Sequence, residues 1–439
     1  MKLVMHGRNN RRRAQGKRAG ISLLLLLVGC APSSSPRPAA APATPAANHA
    51  RQPLPDNGEA GDIRVCLLDE PLTTISIKAA NPAMIVASFD TKPLRTIPTG
   101  ESFELTRSKA GWTIAGETLV ADSIEIHPQS SPGLWIDDHL YRGFLRITPL
   151  GNHSLQVINV LPLEHYVAGV VDGEIPAQFP AETRKAQAVA IRTFAVMQRE
   201  TADPADDFDL RASAERSQSY LGYQYRDSRG RLLSGESDAA RLAVQETRGL
   251  ICARNGRPFR TYYSACCGGR TTKGTLFFPD AVEIPSIACD ACGDYPRSRW
   301  TARLSAEELT EAVRIASRGK LPEPFRLADV TVEGASRRDA IPRILLRDMK
   351  NRTVTASTAA LRSAVGGGKL LSAWFTVRPD GAEFVLEGRG HGHGVGLCQW
   401  GAAGLAEAGA DFRTILARYY PGCEILPISS LLRGTKDRP

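Results

Sequence analysis

Apolar and polar positions alternate in short runs between residues 62 and 160. The runs are IRVCLLDE, residues 74–78, MIVASFD, GWTIAG, SIEIHP, FLRITPL and LQVINVL, with Gly, Pro and Asp between them. A period of two at such short intervals predicts a strand-rich region. The period then changes. Ala186, Val189, Ala190, Thr193, Phe194 and Met197 recur at helical spacing, so residues 180–200 are expected to form a helix with Pro180 in its first turn. Residues 239–247 read as a second helix. Residues 305–317 read as a third, with Ser305 as N-cap and Glu308 three positions on. Residues 326–388 return to strands, and residues 411–420 to a helix. The expected class is α+β, with a strand-rich N-terminal part followed by a mixed helix and strand region.

Residues 161–192 run LPLEHYVAGVVDGEIPAQFPAETRKAQAVAIR. A strand-like stretch leads here to a turn that carries Glu174, and the amphipathic helix follows. Pro176 restricts Ile175 to extended geometry, so the Glu174 carboxylate is expected at a strand exit. A second block, residues 388–401, reads GRGHGHGVGLCQWG. Glycine at this density predicts a loop that lets its backbone approach a ligand.

The N-terminus changes the picture of charge and place. Arg8, Arg11, Arg12, Arg13, Lys17 and Arg18 precede an apolar run at 21–28, too short for a stable membrane anchor. The run ends Leu27-Val28-Gly29-Cys30, the pattern of a bacterial lipoprotein signal. Residues 1–29 are therefore expected to be cleaved and Cys30 to carry lipid. Residues 30–61, rich in Ala and Pro, are expected to form an extended tether of roughly 3 Å per residue where polyproline-like. Cleavage leaves 48 basic and 46 acidic residues, so the formal charge falls from +9 to +2. Nothing then favours nucleic acid as a partner.

Taken in order, several segments resemble the SpoIID/LytB family of peptidoglycan-acting proteins. LPLEHYVAGVVDGEIP resembles its Leu-Pro-Leu-Glu-x-Tyr stretch and Glu-x-Pro turn. Residues 185–195 resemble the helix that follows. Gln218-Ser219-Tyr220-x-Gly222, the stretch 263–271 (YSACCGGRT), the block at 388–404 and Tyr419-Tyr420-Pro421-Gly422 complete the likeness over 62–427. His391 departs from the pattern, standing where the family often has Trp. The resemblance divides the chain into residues 62–160, a strand-rich SpoIID N-terminal region, residues 161–430, a SpoIID-type catalytic region, and a tail at 431–439.

The resemblance implies a lytic transglycosylase. Such an enzyme cuts the bond between N-acetylmuramic acid and N-acetylglucosamine without water and leaves a 1,6-anhydro end. One carboxyl group suffices, first as acid and then as base, whereas hydrolytic glycosidases use two. The resemblance implies that Glu174 is that carboxyl. Lys185, Gln187, Arg192, Gln218, Tyr220, His391, His393 and Gln399 are the expected substrate contacts, with Tyr220 as a ring to stack on sugar. Glu164, Asp172 and Glu182 are rival carboxylates. Asp172, two positions away, is expected to raise the pKa of Glu174. Glu164 is expected to tie down a backbone group or an Arg. No cofactor is required for catalysis. The expected partners are glycan strands, with or without stem peptides, a membrane reached through the lipid anchor, and a cell-wall amidase. A protein that only binds the wall and stimulates that amidase is the alternative.

Beyond Cys30, eight cysteines remain: Cys66, Cys252, Cys266, Cys267, Cys289, Cys292, Cys398 and Cys423. An even number in an exported chain suits disulfides. Cys289-x-x-Cys292 with one of the adjacent pair, Cys266 or Cys267, also has the spacing of a structural zinc site, which a histidine would complete. Both readings stay open on the sequence.

Overall fold

The computed structural model describes residues 61–433, apart from 89–92, 110, 204 and 215–216. The signal segment, Cys30 and most of the tether lie outside the described residues. The fold is α+β. All seven predicted N-terminal strands form, joined by Pro93–Ile97, Ser102–Ser108, Glu117–Leu119, Leu134–Ile136 and His139–Tyr141.

These strands build two sheets. The first has seven strands, ordered Leu210–Arg211, Asp62–Cys66, Ser154–Pro162, Phe144–Leu150, Ile124–Pro128, Ala83–Ala87 and Pro93–Ile97. The second has eight, with Thr74–Ala79 hydrogen-bonded between Leu134–Ile136 and Ser102–Ser108. Strand alternation sends Ile63, Val65 and Val157 of the first sheet and Ile75, Ile77 and Leu105 of the second into one core. Gln224–Arg226 and Leu232–Ser234 extend the second sheet and, like Leu210–Arg211 of the first, come from the chain after residue 161.

Helix α1 spans Leu163–Glu174, where the sequence suggested a strand. Val167, Val170 and Val171 have strand propensity. Together with Leu163 and Tyr166, however, they stand at helical spacing and are all buried. Burial of that stripe overrides local propensity. Helix α2 spans Ala181–Thr201, one residue from its expected bounds. Buried side chains occupy nearly its whole circumference from Thr183 to Val196, not one stripe. Helix α3 spans Asp238–Glu246.

A second core holds Cys252, Cys266, Cys267, Cys289, Cys292 and Cys398 with Tyr419 and Tyr420. A third lies among the strands of residues 299–389 and helices α4 (Ala306–Ala316) and α5 (Thr358–Val365). Ser305 and Glu308 cap α4 reciprocally, as their spacing required. Helix α5 interrupts a stretch expected to be strands only. Helix α6 (Gln399–Glu407) begins inside the block read as loop, and α7 (Phe412–Tyr419) follows, capped by Asp411.

Candidate active site

Glu174 is the last residue of α1. The helix stops there because Ile175 is extended, at φ −128° and ψ 147°, as Pro176 demands. The carboxyl thus sits at a helix end instead of a strand exit.

Two glycines prepare its surroundings. Gly169 and Gly173 lie four apart, on one face of α1. A Cβ at Gly173 would stand 2.3 Å from the Ser219 carbonyl oxygen, and one at Gly169 would stand 2.7 Å from the Tyr220 ring. The segment 218–221 can therefore lie directly on the helix. Leu221 N–H donates to the Gly169 carbonyl at 2.9 Å, and Ser219 N–H donates to Glu174 Oε1 at 2.7 Å.

A relay of side chains reaches the same carboxyl. Tyr166 OH donates to Gln218 Oε1 at 2.9 Å, and Gln218 Nε2 donates to Tyr263 OH at 2.9 Å. Having accepted from Gln218, the Tyr263 hydroxyl directs its own proton to Glu174. Glu174 is half-buried, and loss of solvation raises its pKa above the ordinary carboxylate value. The bonds from Ser219 and Tyr263 oppose that rise without cancelling it. Asp172 plays no part in it. Its carboxylate accepts from Ser237 N–H at 2.6 Å, from the Ser237 hydroxyl at 3.0 Å and from Arg184 at 3.4 Å, so it anchors the start of α3.

The Gly/His block does form a loop at 390–396. Gly390, Gly392, Gly394 and Gly396 all have φ between 71° and 95°, a region that side-chain-bearing residues avoid. His393 Nδ1 accepts from Val395 N–H at 3.0 Å, and its ring also bonds the Tyr263 backbone. Tyr263 therefore ties this loop to Glu174. Burial pushes the pKa of both His391 and His393 down to about 4, so both are neutral at physiological pH. The Tyr295 hydroxyl lies 2.7 Å from His391 Nδ1. Rings continue from there: Tyr295 stacks on Trp400 at 4.9 Å, and Trp400 meets the edge of Phe179, just past Glu174, at 5.0 Å.

Several expected contacts are committed inside the protein. The Arg192 side chain is fully buried. Its Nε and Nη2 donate to Glu164 at 2.9 and 2.7 Å, and its Nη1 donates to the Leu250 carbonyl at 3.0 Å. Glu164 also accepts from Gly249 N–H at 3.1 Å, so the two residues lock α1 and α2 to the start of the strand Leu250–Arg254. Gln187 has no exposed surface, and neither of its amide atoms has a partner among the described residues. Tyr220 is buried and donates to Asn159 at 2.9 Å, so it is a core ring and no sugar platform. Lys185 pairs with Glu182 at 2.7 Å and Glu246 at 2.5 Å. Gln399 opens α6 and is buried. Gln218 alone of this group stands next to Glu174, as part of the relay.

Removing one partner of a buried ion pair leaves the other charge unpaired, at a cost of about 3–5 kcal/mol. Arg192→Met is thus expected to shift the urea unfolding midpoint strongly, and Glu164→Leu in the same chain to restore part of the loss. A single-variant loss below about 1 kcal/mol would show that the pair is dispensable.

Of the two readings of the sequence, the cysteine geometry fits the metal site, with a cysteine where a histidine was expected. The Sγ atoms of Cys267, Cys289, Cys292 and Cys398 lie within 4.8 Å of one another, all buried. Adjacent side chains diverge, and of the pair it is Cys267 that joins the group. The Cys266 thiol faces the Cys292 carbonyl instead, at 3.9 Å. The fourth member is Cys398, from the start of α6, and no histidine belongs to the group. Cys267 and Cys292 Sγ are 3.7 Å apart, far beyond the roughly 2.05 Å of a disulfide. Zinc–sulfur bonds of about 2.3 Å at tetrahedral angles place sulfurs about 3.8 Å apart. The cluster is compatible with a structural metal site.

Comparison with known proteins accords with this architecture. The family described as SpoIID, stage II sporulation protein, matches residues 151–253, which include α1, Glu174 and α2. Over those residues the chain is similar to a SpoIID domain. It is 28% identical over 292 residues to the stage II sporulation protein D of Bacillus subtilis, covering 65% of this chain and 80% of that protein. The amidase enhancer of the same organism is 25% identical over 297 residues, 58% of this chain but 39% of the enhancer. An uncharacterised protein of Brachyspira hyodysenteriae is 28% identical over 329 residues, 75% of this chain and 83% of its own length. The likeness to SpoIID proteins thus extends well beyond the matched domain. Sequence reasoning left Tyr263 and Trp400 without roles and Cys398 outside the metal set. All three stand in the quoted SpoIID segments, and it is tertiary pairing that brings those segments together, through Tyr263–Ser264 with Leu397–Cys398 and the bridges Cys266 to His391 and Thr272 to Val395.

Proposed function

We propose that this protein is a peptidoglycan lytic transglycosylase in which Glu174 is the single general acid and base. The observation that carries the reading is the desolvated Glu174 carboxyl with its two fixed donors, Ser219 N–H and Tyr263 OH. A raised pKa keeps the acid form populated, as donation to the leaving oxygen requires. The resulting carboxylate then takes the proton of the muramic 6-hydroxyl as that oxygen attacks the anomeric carbon, which returns Glu174 to its acid form. Ser219 N–H and Tyr263 OH hold the carboxylate in place between the two steps. No second carboxyl is needed. The Trp400 and Tyr295 rings, half-buried beside the Glu174 turn, suit the faces of sugar rings. Neutral His393 supplies a polar edge without charge.

Incubating the purified protein with peptidoglycan and identifying the released ends by mass spectrometry tests the reading. Anhydro ends support it. The likeness to an amidase enhancer favours a second reading, in which the protein binds the wall and stimulates a separate amidase. Absence of cleavage, with faster amidase action on addition of the protein, would establish that reading instead.

No helix among the described residues is long and apolar enough to cross a membrane. We assign membrane attachment to lipid on Cys30, with the domain outside the cytoplasm and facing the wall, on the outer membrane if the cell has two. Metabolic labelling with a fatty-acid probe should mark the wild-type protein and leave Cys30→Ser dark. Equal labelling of both would remove the anchor.

A further inference from the structure

A hollow of about 790 Å³ lies away from Glu174, over the sheet formed by Arg299–Ser305, Glu383–Arg389 and Phe375–Asp380. Its charges are unusual. Arg299 and Arg389 are direct cross-strand partners, and both are exposed. Like charges in that position destabilise a sheet. Neither has an ion-pair partner among the described residues, and the same holds for Arg270 and Arg338, which also line the hollow. Arg270 and Arg389 each repel the charge on Arg338. Glu387 is the one carboxylate in the lining, and it already faces Arg378 at 3.7 Å.

The wall is built as well as charged. The Arg338 guanidinium lies 4.5 Å from the centre of the Trp374 ring. Trp374 is buried, and its Nε1 donates to the Arg337 carbonyl at 2.9 Å, which fixes the loop that carries Arg338. A second hollow, of about 660 Å³, shares Arg270 and Arg338 with the first. Repulsion maintained among four arginines, at some cost to the sheet, is explained by a ligand that neutralises it.

We infer that this arginine-lined hollow is an anion-binding site, distinct from Glu174, that takes carboxylate groups carried by a wall strand. Planar guanidinium forks match carboxylates two bonds at a time. The strand as ligand rests on the peptidoglycan reading above. The carboxylates have two sources on such a strand: the stem peptides, or the lactyl groups exposed once an amidase has removed those peptides.

The test measures binding to the full mature chain of four probes: soluble strands with stem peptides, the same strands stripped by an amidase, poly-L-glutamate and polyphosphate. The double variant Arg299→Gln/Arg389→Gln should bind poly-L-glutamate and the preferred strand at least about tenfold more weakly. Its melting temperature should be unchanged or higher, because the cross-strand repulsion is gone. Wild-type binding should also weaken steeply with salt. The strand bound more tightly identifies the source of the carboxylate. Poly-L-glutamate binding that depends on the arginines, with no binding of either strand, would keep the anion site and remove the wall as its ligand. Equal binding by wild type and double variant, no binding of any carboxylate probe, or a preference for polyphosphate would overturn the inference.

Discussion

Glu174→Gln should release no 1,6-anhydro ends from peptidoglycan while still binding it. The amide keeps the shape of the side chain and can accept from Ser219 N–H, but it carries no proton to exchange. General acid–base help is worth roughly 10²- to 10⁴-fold, and a group that serves both half-reactions should show the upper part of that range. The pH dependence follows from the direction of the pKa. The acid form must enter the first step, so kcat/KM should be full below the raised pKa and fall as pH rises through it. Stability moves with the same sign. The native state holds the proton more tightly than the unfolded chain, so ionisation costs stability as pH rises from the ordinary value of 4.5 through the raised one. Glu174→Gln should therefore be at least as stable as wild type at neutral pH. Cleavage by the variant at near wild-type rate would refute the assignment. Reducing ends in place of anhydro ends from wild type would keep the enzyme and make it a hydrolase.

Loss of the four-cysteine cluster should unfold the part of the protein around it. We expect one zinc per chain in protein purified anaerobically, held by Cys267, Cys289, Cys292 and Cys398. Four buried thiolates form a closed set that suits structural zinc. Structural zinc in small peptides carries about 10–16 kcal/mol of apparent binding free energy, against a typical domain stability of about 5–15 kcal/mol. Cys398→Ser should lose the metal and expose the residues around Tyr419 to proteolysis. Cys266→Ser should retain it, although spacing alone does not choose between Cys266 and Cys267. Metal analysis with thiol counting decides the matter. No zinc and no free thiols would mean that the cysteines pair as disulfides. Zinc lost equally in both variants would redraw the ligand set.

Much of the fold was legible because it rests on periodicity. The seven N-terminal strands, α2 and the capping box of α4 each follow from spacing that a local pattern enforces. The error at α1 has the same root. Val167, Val170 and Val171 suggested strand by residue type, while the spacing of Leu163, Tyr166, Val167, Val170 and Val171 already gave a helix. Helix α6 was hidden by the glycines on both sides of Cys398. Arg192 and Tyr220 were misread as ligand contacts because exposure is not a local property. A charged residue on an amphipathic pattern looks solvated until a buried Glu164 arrives from another helix.

By itself, the sequence determined the strand-rich and helical regions, the family resemblance, the end of a structural element at Pro176 and the glycine loop at 390–396. Each depends on chain neighbours a few positions apart, where sterics and period leave few choices. Only the tertiary structure decided which groups meet. It delivered Ser219 N–H to Glu174 across the space left by Gly173. It joined Tyr263 to both Glu174 and His393, gave Cys398 to a cluster begun more than a hundred residues earlier, and set Arg299 opposite Arg389. These contacts come from pairing and packing between distant segments, and no local pattern records which distant segment will arrive.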